Sequence, residues 1–393
     1  MPNRGKQSKL NKIFIVACIA LSAIFSITMS TTHNVSASAT DKHSKYFIYI
    51  GTYGKGVYAF RYDAQAAAIE PIGLVGEVVN ASWITTDRSF RYLYAVSELE
   101  GNAKGGVASF EIDRKTGKLN PLNQVGSEGV APCYAAVDAS GKTLVVANYT
   151  SGGVSAFPIE QNGSLGQLGS LMTAEGSSIN KNRQEGPHAH EAVISRDNQR
   201  VYVPDLGLDK IRIYRLEQVA GKLTPNDPPF VSVEAGHGPR HIVFDDKGEY
   251  AYVINELKPL VSVFSVDASN GNLKLIQTVP TIPADFTKET TGAEIRLDHS
   301  GRFLYTSNRG NDSLQVFAVD RGGKLQQVQN ISSGGKDPRG FALDPGSGLL
   351  FAGNQNSNNL VVFRIDTQTG KLTPTGQKLE VPSPVDVLFV PAA

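Results

Sequence analysis

A repeated pattern constrains the fold of this chain more than any other feature. Each copy has a short apolar run, a turn rich in Asp, Gly or Asn, a β-rich run, a polar loop and an alternating run. A fourth strand-like run follows several copies, as in LKLIQTVP from Leu273. The copies begin at Pro132, His190, Pro239, Ala293 and Pro338, with a weaker one from Ser82 to Glu111. Four short strands at a period of about 45 to 56 residues are typical of a β-propeller blade.

The two ends of the repeat region complete one unit together. The run FIYIGTYGKGVYAFRYD from Phe47 matches the second and third strands of a blade, and PVDVLFVP from Pro384 matches a first strand. Pairing these ends closes the ring and removes exposed strand edges. We therefore predict an all-β, seven-bladed propeller with four antiparallel strands per blade, in which the C-terminal strand joins the N-terminal blade. An open solenoid is the alternative, and the split repeat does not favour it.

The first residues differ in composition from the rest of the chain. Basic residues lie between Arg4 and Lys12, the run from Ile13 to Met29 is apolar, and Ala37-Ser38-Ala39 resembles a cleavage site. This pattern predicts a signal peptide over residues 1–39 and a secreted or periplasmic propeller domain over 40–393. An uncleaved anchor, or lipidation at Cys18, is the alternative reading. No other segment is expected to span a membrane.

Charge and cysteine content narrow the classes of function. Lys plus Arg number 38 and Asp plus Glu 37, so the chain lacks the basic excess of a nucleic-acid-binding protein. Without Cys18, Cys133 is left alone, and it opens an apolar strand as a small buried residue would. We expect a monomer without disulfides, stabilised by a large core.

One face of the predicted disc carries residues that the repeat does not require. Because adjacent strands are antiparallel, the start of each first strand and the end of each second strand lie on the same face. The second strands end in an Asn, Asp, Ser or Gly column, which is expected to be structural. Neighbouring positions vary between blades and hold the polar residues His188, His190, Arg240, His241, Glu256, Glu294, Arg309 and Arg339.

These residue types suit acid–base chemistry on an anionic substrate. A Glu or His can act as general base, and arginines can bind a carboxylate, a phosphate or a developing oxyanion. The combination favours hydrolysis of a small ester or lactone. A metal site at His188, His190 and Glu191, completed by Glu256 or His241, is an alternative that nearby arginines disfavour. A third possibility is that the Arg and Glu side chains only pair across the blades.

The quoted motifs resemble a known family. The stretches GPHAHEAVISRDNQRVYVPDLG, GPRHIVFDDKGEYAYVINEL and AEIRLDHSGRFLYTSNRG are similar to signatures of the seven-bladed lactonases, which include 6-phosphogluconolactonases and carboxy-cis,cis-muconate lactonizing enzymes. The resemblance implies a metal-free and cofactor-free site. Its catalytic residues would be His190, Arg240, Glu256 and Arg309, with Glu256 or His190 as acid/base and the arginines as anion binders.

The resemblance leaves the substrate open. His188, His241, Glu294 and Arg339 are expected to contact a small lactone. An exported protein does not suit 6-phosphogluconolactone, a cytoplasmic intermediate, so another sugar or organic-acid lactone is an alternative substrate. A lactonizing cycloisomerase, and a non-enzymatic envelope propeller that binds a ligand or a protein, are the alternative functions.

Overall fold

A computed structural model describes residues 44–100, 105–217 and 221–393. These residues belong to a compact unit that spans Asp41–Ala393. The predicted signal peptide, including its cleavage site and Cys18, lies outside the described residues. In the described ranges, no helix is long and apolar enough to cross a bilayer.

The described chain is built almost entirely from short β-strands. In chain order they begin with β1 (Lys45–Thr52), β2 (Gly56–Asp63), β3 (Ala68–Glu77), β4 (Ile84–Thr86), β5 (Tyr92–Ser97), β6 (Gly106–Ile112), β7 (Leu119–Gly126), β8 (Pro132–Val137), β9 (Thr143–Asn148), β10 (Val154–Pro158), β11 (Ser170–Met172), β12 (Val193–Ile194), β13 (Arg200–Asp205) and β14 (Lys210–Glu217). They continue with β15 (Lys222–Ser232), β16 (Pro239–Phe244), β17 (Tyr250–Asn255), β18 (Leu260–Val266), β19 (Leu273–Pro280), β20 (Thr291–Leu297), β21 (Phe303–Arg309), β22 (Ser313–Val319), β23 (Leu325–Ser332), β24 (Pro338–Leu343), β25 (Leu349–Asn354), β26 (Asn359–Ile365), β27 (Leu372–Glu380) and β28 (Pro384–Pro391). A single 3-10 turn, Gln355–Ser357, precedes β26.

The strands form seven antiparallel sheets of four strands each, which confirms the predicted propeller. Blade 1 has the strand order β28-β1-β2-β3, and blades 2 to 7 follow as β4–β7, β8–β11, β12–β15, β16–β19, β20–β23 and β24–β27. The last strand pairs with β1 from Tyr46 opposite Pro391 to Thr52 opposite Pro384. The C-terminal strand therefore closes the ring non-covalently, as the split repeat predicts.

Burial along the strands follows their position in the blade. The second strands are almost wholly buried, as in β5 and β9, where every residue is buried. In the fourth strands, exposed residues are interspersed with partly buried ones, as in β7 and β23. Apolar side chains fill the spaces between neighbouring blades, where Phe47 and Tyr49 of blade 1 join Phe110 and Leu119 of blade 2 in one cluster. Each sheet packs against a neighbouring blade on both faces. The sequence therefore has near-continuous runs of β-branched and aromatic residues.

A repeated tyrosine contact links consecutive blades. The hydroxyl groups of four buried tyrosines in second strands donate to glycine carbonyls in turns of the next blade, at 2.9–3.1 Å: Tyr49 to Gly117, Tyr94 to Gly163, Tyr202 to Gly271 and Tyr305 to Gly370. Gly370 has φ +72°, and a Cβ there would lie 2.4 Å from the Phe303 ring. A side chain at this turn would therefore clash with the ring as well as strain the backbone.

Bulges at the starts of the first strands aim side chains toward the propeller axis. In β8, β16 and β24 the register shifts by one residue, which leaves Cys133, Arg240 and Arg339 without a direct partner on the second strand. β-bulges commonly redirect one side chain in this way. In blade 4 the regular strand is only two residues long, and His190 is held by a backbone hydrogen bond from its N–H to the Pro204 carbonyl, at 3.0 Å.

Candidate active site

A polar pocket lies where the bulged first strands and the ends of the second strands meet at the axis. Its volume is about 250 Å³. Blades 1 to 3 and 5 to 7 contribute lining residues, as does the loop of residues 173–192 between β11 and β12. The lining comprises Tyr53, Glu98, Glu100, Cys133, Tyr149, Arg183, His190, Glu256, Thr291, Arg309 and Arg339.

Glu256 is the centre of an arginine cluster at one side of this pocket. Its carboxylate lies 3.1 Å from Arg240 Nε and 3.1 Å from Arg309 Nη2, and 2.5 Å from Arg183 Nη2. Burial alone would raise the pKa of Glu256, but Arg309, Arg240 and Arg183 hold it well below its usual range. The carboxylate is therefore ionised throughout the neutral range and is a weak proton acceptor.

His190 supplies a neutral imidazole to the pocket. Its side chain is 5% exposed, and Nε2 lies 3.7 Å from Glu256 Oε2. Burial, together with Arg240, His241 and Arg339, lowers its pKa well below 6.5. The imidazole is therefore unprotonated at neutral pH, which leaves a ring nitrogen able to accept a proton.

Cys133 packs beside His190 at the floor of the pocket. Its thiol donates to the His190 carbonyl, with Sγ 3.2 Å from the oxygen, and Sγ lies 3.9 Å from His190 Nδ1. Burial, followed by Glu98, raises the pKa of this thiol well above its usual value. The thiolate needed for nucleophilic attack is therefore disfavoured.

Arg339 and Glu98 face each other across the opposite side of the pocket without forming an ion pair. Among the described residues, the Arg339 guanidinium has no hydrogen bond or salt bridge, and its Cζ lies 5.1 Å from the centre of the Tyr53 ring. Tyr53 donates its hydroxyl to Glu98 Oε2 at 2.8 Å. This arginine differs from Arg183, Arg240 and Arg309, whose guanidinium groups already contact Glu256.

A second polar layer fills the channel below the pocket. The next position supplies its side chains in six of the seven blades, and these are Trp83, Tyr134, Glu191, His241, Glu294 and Asp386. His241 receives a hydrogen bond from Arg240 at Nε2 (3.2 Å) and contacts Glu294 through Nδ1 (3.3 Å). Trp83 donates to the Ala135 carbonyl at 3.1 Å and stacks on Tyr134, so it joins blades 2 and 3.

The channel carboxyl groups have very different electrostatic surroundings. Burial raises the pKa of Glu191 to about 8 and that of Asp386 to about 7. Burial opposes ionisation of Glu294 as well, but Arg296 and His241 lower its pKa to about 2. Burial and Arg240 lower the pKa of His241 to about 4, so this imidazole is neutral. Glu294 is therefore ionised at neutral pH, and the neutral His241 links it to Arg240 through hydrogen-bond distances on both ring nitrogens.

The structure brings most of the predicted site residues together at one end of the channel. His190, Glu256, Arg309 and Arg339 line the pocket, and Arg240 reaches it through its contact with Glu256. The other predicted substrate-binding residues do not line it. His188 stacks on the Tyr149 ring, with centroids 4.6 Å apart. His241 and Glu294 lie in the channel layer below.

The predicted site omits seven residues that line the pocket, which are Tyr53, Glu98, Glu100, Cys133, Tyr149, Arg183 and Thr291. Arg183 comes from the loop of residues 173–192, which has no counterpart in the other copies of the repeat. Tyr53 and Glu98 lie at or just after second-strand ends, and Glu98 shares the variable column of Glu256. The repeat therefore marks Glu98 as a variable position, although the predicted site does not include it.

The geometry does not form a cluster of metal ligands. Within the described ranges, no three His, Cys, Asp or Glu side chains are grouped so that they could hold a metal ion. His188 Nε2 lies 3.1 Å from Glu185 Oε1, and His188 Nδ1 lies 3.0 Å from the Tyr149 carbonyl. Both ring nitrogens of His188 are therefore already paired within the protein.

The fold and the pocket define a class of protein: seven-bladed propellers with a polar, arginine-rich pocket at the channel mouth. A family profile described as "Lactonase, 7-bladed beta-propeller" matches residues 47–389. The chain belongs to this family.

Relatives and solved structures agree with the assignment. A protein named 6-phosphogluconolactonase from Bacillus subtilis is 38% identical over 352 residues, which cover 88% of this chain and 99% of the relative. One of the same name from Formosa agariphila is 33% identical over 338 residues, covering 84% and 93%. The structure of a periplasmic gluconolactonase from Pseudomonas aeruginosa matches with a TM-score of 0.84 and 34% identity, covering 89% of this chain and all of that one.

Proposed function

We propose that this protein hydrolyses a small lactone in the pocket at the channel mouth, without a metal. The observation that carries the proposal is a neutral His190 imidazole in the same pocket as Arg339, whose guanidinium forms no hydrogen bond or salt bridge with the described residues. A buried imidazole that is unprotonated at neutral pH can act as a general base, and a guanidinium with open N–H donors can stabilise a developing oxyanion. Relatives named as lactonases support the same reaction.

In this mechanism His190 is the general base. It removes a proton from a water molecule as the water oxygen attacks the lactone carbonyl carbon. The carbonyl oxygen becomes an oxyanion, which the Arg339 guanidinium stabilises with charge-assisted hydrogen bonds. The imidazolium formed at this stage lies beside the Glu256 carboxylate, 3.7 Å from Nε2, which stabilises its positive charge.

Collapse of the tetrahedral intermediate completes the reaction. The carbon–oxygen bond of the ring breaks, and the ring oxygen leaves as an alkoxide that takes the proton back from His190. The product is the open hydroxy acid, and its carboxylic acid group releases one proton to solvent. Glu256 itself is assigned a positioning role, because three arginines hold its pKa well below the neutral range.

We also propose a location outside the cytoplasm. We infer that residues 1–39 are a signal peptide and that the domain of residues 40–393 acts as a monomer outside the cytoplasm. The structure of the periplasmic gluconolactonase of Pseudomonas aeruginosa matches 89% of this chain and supports that location. Fractionation of cells that express the full chain, followed by N-terminal sequencing, tests it. A cytoplasmic protein that keeps residues 1–39 would refute it.

The function is tested with purified protein on δ-gluconolactone, 6-phosphogluconolactone and carboxymuconate. We expect turnover of a lactone that resists EDTA and falls by at least 100-fold in His190→Ala, with circular dichroism unchanged. Turnover of carboxymuconate alone would favour a cycloisomerase. If a folded protein turned over none of these compounds, a non-enzymatic binding propeller would be favoured. Loss of activity on chelation with EDTA would overturn the metal-free mechanism.

A further inference from the structure

Tyr149 lies in the pocket next to the proposed general base. It directly follows β9, and its ring meets the His190 ring nearly at right angles, with centroids 5.4 Å apart. Its hydroxyl accepts a hydrogen bond from Arg183 Nη2 at 3.1 Å. Within the described residues, no group accepts the proton of that hydroxyl. Tyr149 therefore presents an O–H donor to the pocket that it lines.

The protein holds the Tyr149 side chain in place. The His188 ring stacks on it at 4.6 Å, with the two ring planes 14° apart. His188 Nδ1 also lies 3.0 Å from the Tyr149 carbonyl oxygen. A donor that is fixed before the reaction stabilises developing charge well, because it does not have to reorient.

We propose that Tyr149 is a further catalytic residue, which donates a hydrogen bond to the ring oxygen of the lactone as that oxygen becomes an alkoxide. This role rests on the lactonase function proposed above. When the carbon–oxygen bond breaks, its electron pair moves to the ring oxygen, and the Tyr149 O–H stabilises the negative charge. The proton carried by His190 then neutralises the alkoxide, and Tyr149 keeps its own proton. Burial, followed by Glu256, raises the pKa of Tyr149 above 10, so the phenol stays protonated at neutral pH.

The place of Tyr149 in the ring of blades suits the leaving oxygen. Tyr149 follows the second strand of blade 3, and His190 is bonded to the second strand of blade 4. In a ring of seven blades, both lie across the axis from blade 7, which holds Arg339. The carbonyl oxygen and the ring oxygen of a lactone project from one carbon in different directions. With the carbonyl oxygen at Arg339, the ring oxygen faces the side where Tyr149 and His190 lie.

Tyr149→Phe tests this role, because it removes only the hydroxyl and keeps the ring that packs on His188 and His190. The substrate is whichever of δ-gluconolactone and 6-phosphogluconolactone the wild type turns over faster, followed with a pH indicator and corrected for spontaneous hydrolysis. We expect kcat to fall by about tenfold or more, because removal of a donor to a developing oxyanion slows the chemical step. We expect KM to change by less than about threefold, because the charge is absent from the bound substrate.

Arg183 requires a separate background, because Tyr149→Phe also removes a hydrogen-bond acceptor from it. Arg183 keeps its contact with Glu256, and its side chain is 39% exposed, so the variant should fold. The substitution is therefore repeated in Arg183→Gln. A direct role of Tyr149 predicts a similar fall in kcat in both backgrounds, whereas a role exerted through Arg183 predicts no further fall in the double variant.

Tyr58→Phe is the matched control. Tyr58 lies in β2, the third strand of blade 1, and does not line the pocket, so kcat and KM should stay unchanged. The role of Tyr149 is overturned by a fall in kcat smaller than about tenfold, or by a fall that disappears in Arg183→Gln. Either result leaves the lactonase function standing. If the folded wild-type protein turns over neither lactone, the lactonase function itself is overturned.

Discussion

Replacement of Glu256 by Gln is expected to destabilise the protein strongly, because it removes the negative charge from the centre of the arginine cluster. The side chain is 5% exposed, and Arg240, which is 3% exposed, lies 3.1 Å away. Arg309, 16% exposed, lies at the same distance. Removing one partner of a buried ion pair costs about 3–5 kcal/mol, because the other partner keeps an uncompensated charge. We expect a loss of this size in the free energy of unfolding.

Urea denaturation followed by circular dichroism measures the effect. Glu234→Gln is the matched control, because Glu234 is 81% exposed and pairs only with His237, at 3.5 Å. Exposed pairs of this kind contribute about 1 kcal/mol or less. The denaturation midpoint of Glu256→Gln should therefore fall well below that of the control, at an unchanged slope. A Glu256→Gln protein within 1 kcal/mol of wild type would refute the positioning role and reopen Glu256 as the acid/base group.

Other parts of the structure give three further predictions. Because Glu191 has a pKa of about 8 in the folded protein against 4.5 for the free group, its stabilising effect is present below 4.5 and is lost as pH rises to 8. The stability difference between wild type and Glu191→Gln should change by about 1.4 kcal/mol per pH unit between these values, and a constant difference would contradict this. Cys133 should react with iodoacetamide at least 100-fold more slowly in the native protein than in urea, since burial raises its pKa; a difference under tenfold would show an accessible thiolate. Asp209 accepts hydrogen bonds from Ser178 and Gln184, so Asp209→Ala should raise KM about tenfold and speed proteolysis within residues 173–192, and unchanged cleavage would contradict that anchoring role.

The repeat carried most of the information about the fold. Because every blade must place alternating apolar residues between its neighbours, strand positions and the closure by Pro384–Pro391 follow from the spacing of the copies. The expected structural role of the Asn column agrees with the structure as well. The Nδ2 atom of Asn148 donates to Ser155 Oγ at 3.1 Å, and that of Asn255 donates to Ser262 Oγ at 3.0 Å.

The sequence predicted the candidate site less completely than it predicted the fold. The residues that depart from the repeat include His190, Glu256 and Arg339. The sequence does not show how deep in the channel each of these side chains lies. The bulges place Arg240 in the upper layer and the adjacent His241 in the lower one. Arg183 has no repeat counterpart, so only the three-dimensional path of its loop brings it to Glu256.

The pH dependence of kcat/KM for δ-gluconolactone tests the central claim most directly. A general base works in its neutral form, so activity falls as pH drops through its pKa. Because burial and neighbouring arginines lower the pKa of His190 well below 6.5, the rate should stay level from pH 8 to below 6.5. It should decline only at more acidic pH, and His190→Gln should lose about 10²–10⁴ in kcat/KM. An acidic decline centred at or above pH 6.5, or a His190→Gln protein within tenfold of wild type, would contradict the proposed role of His190.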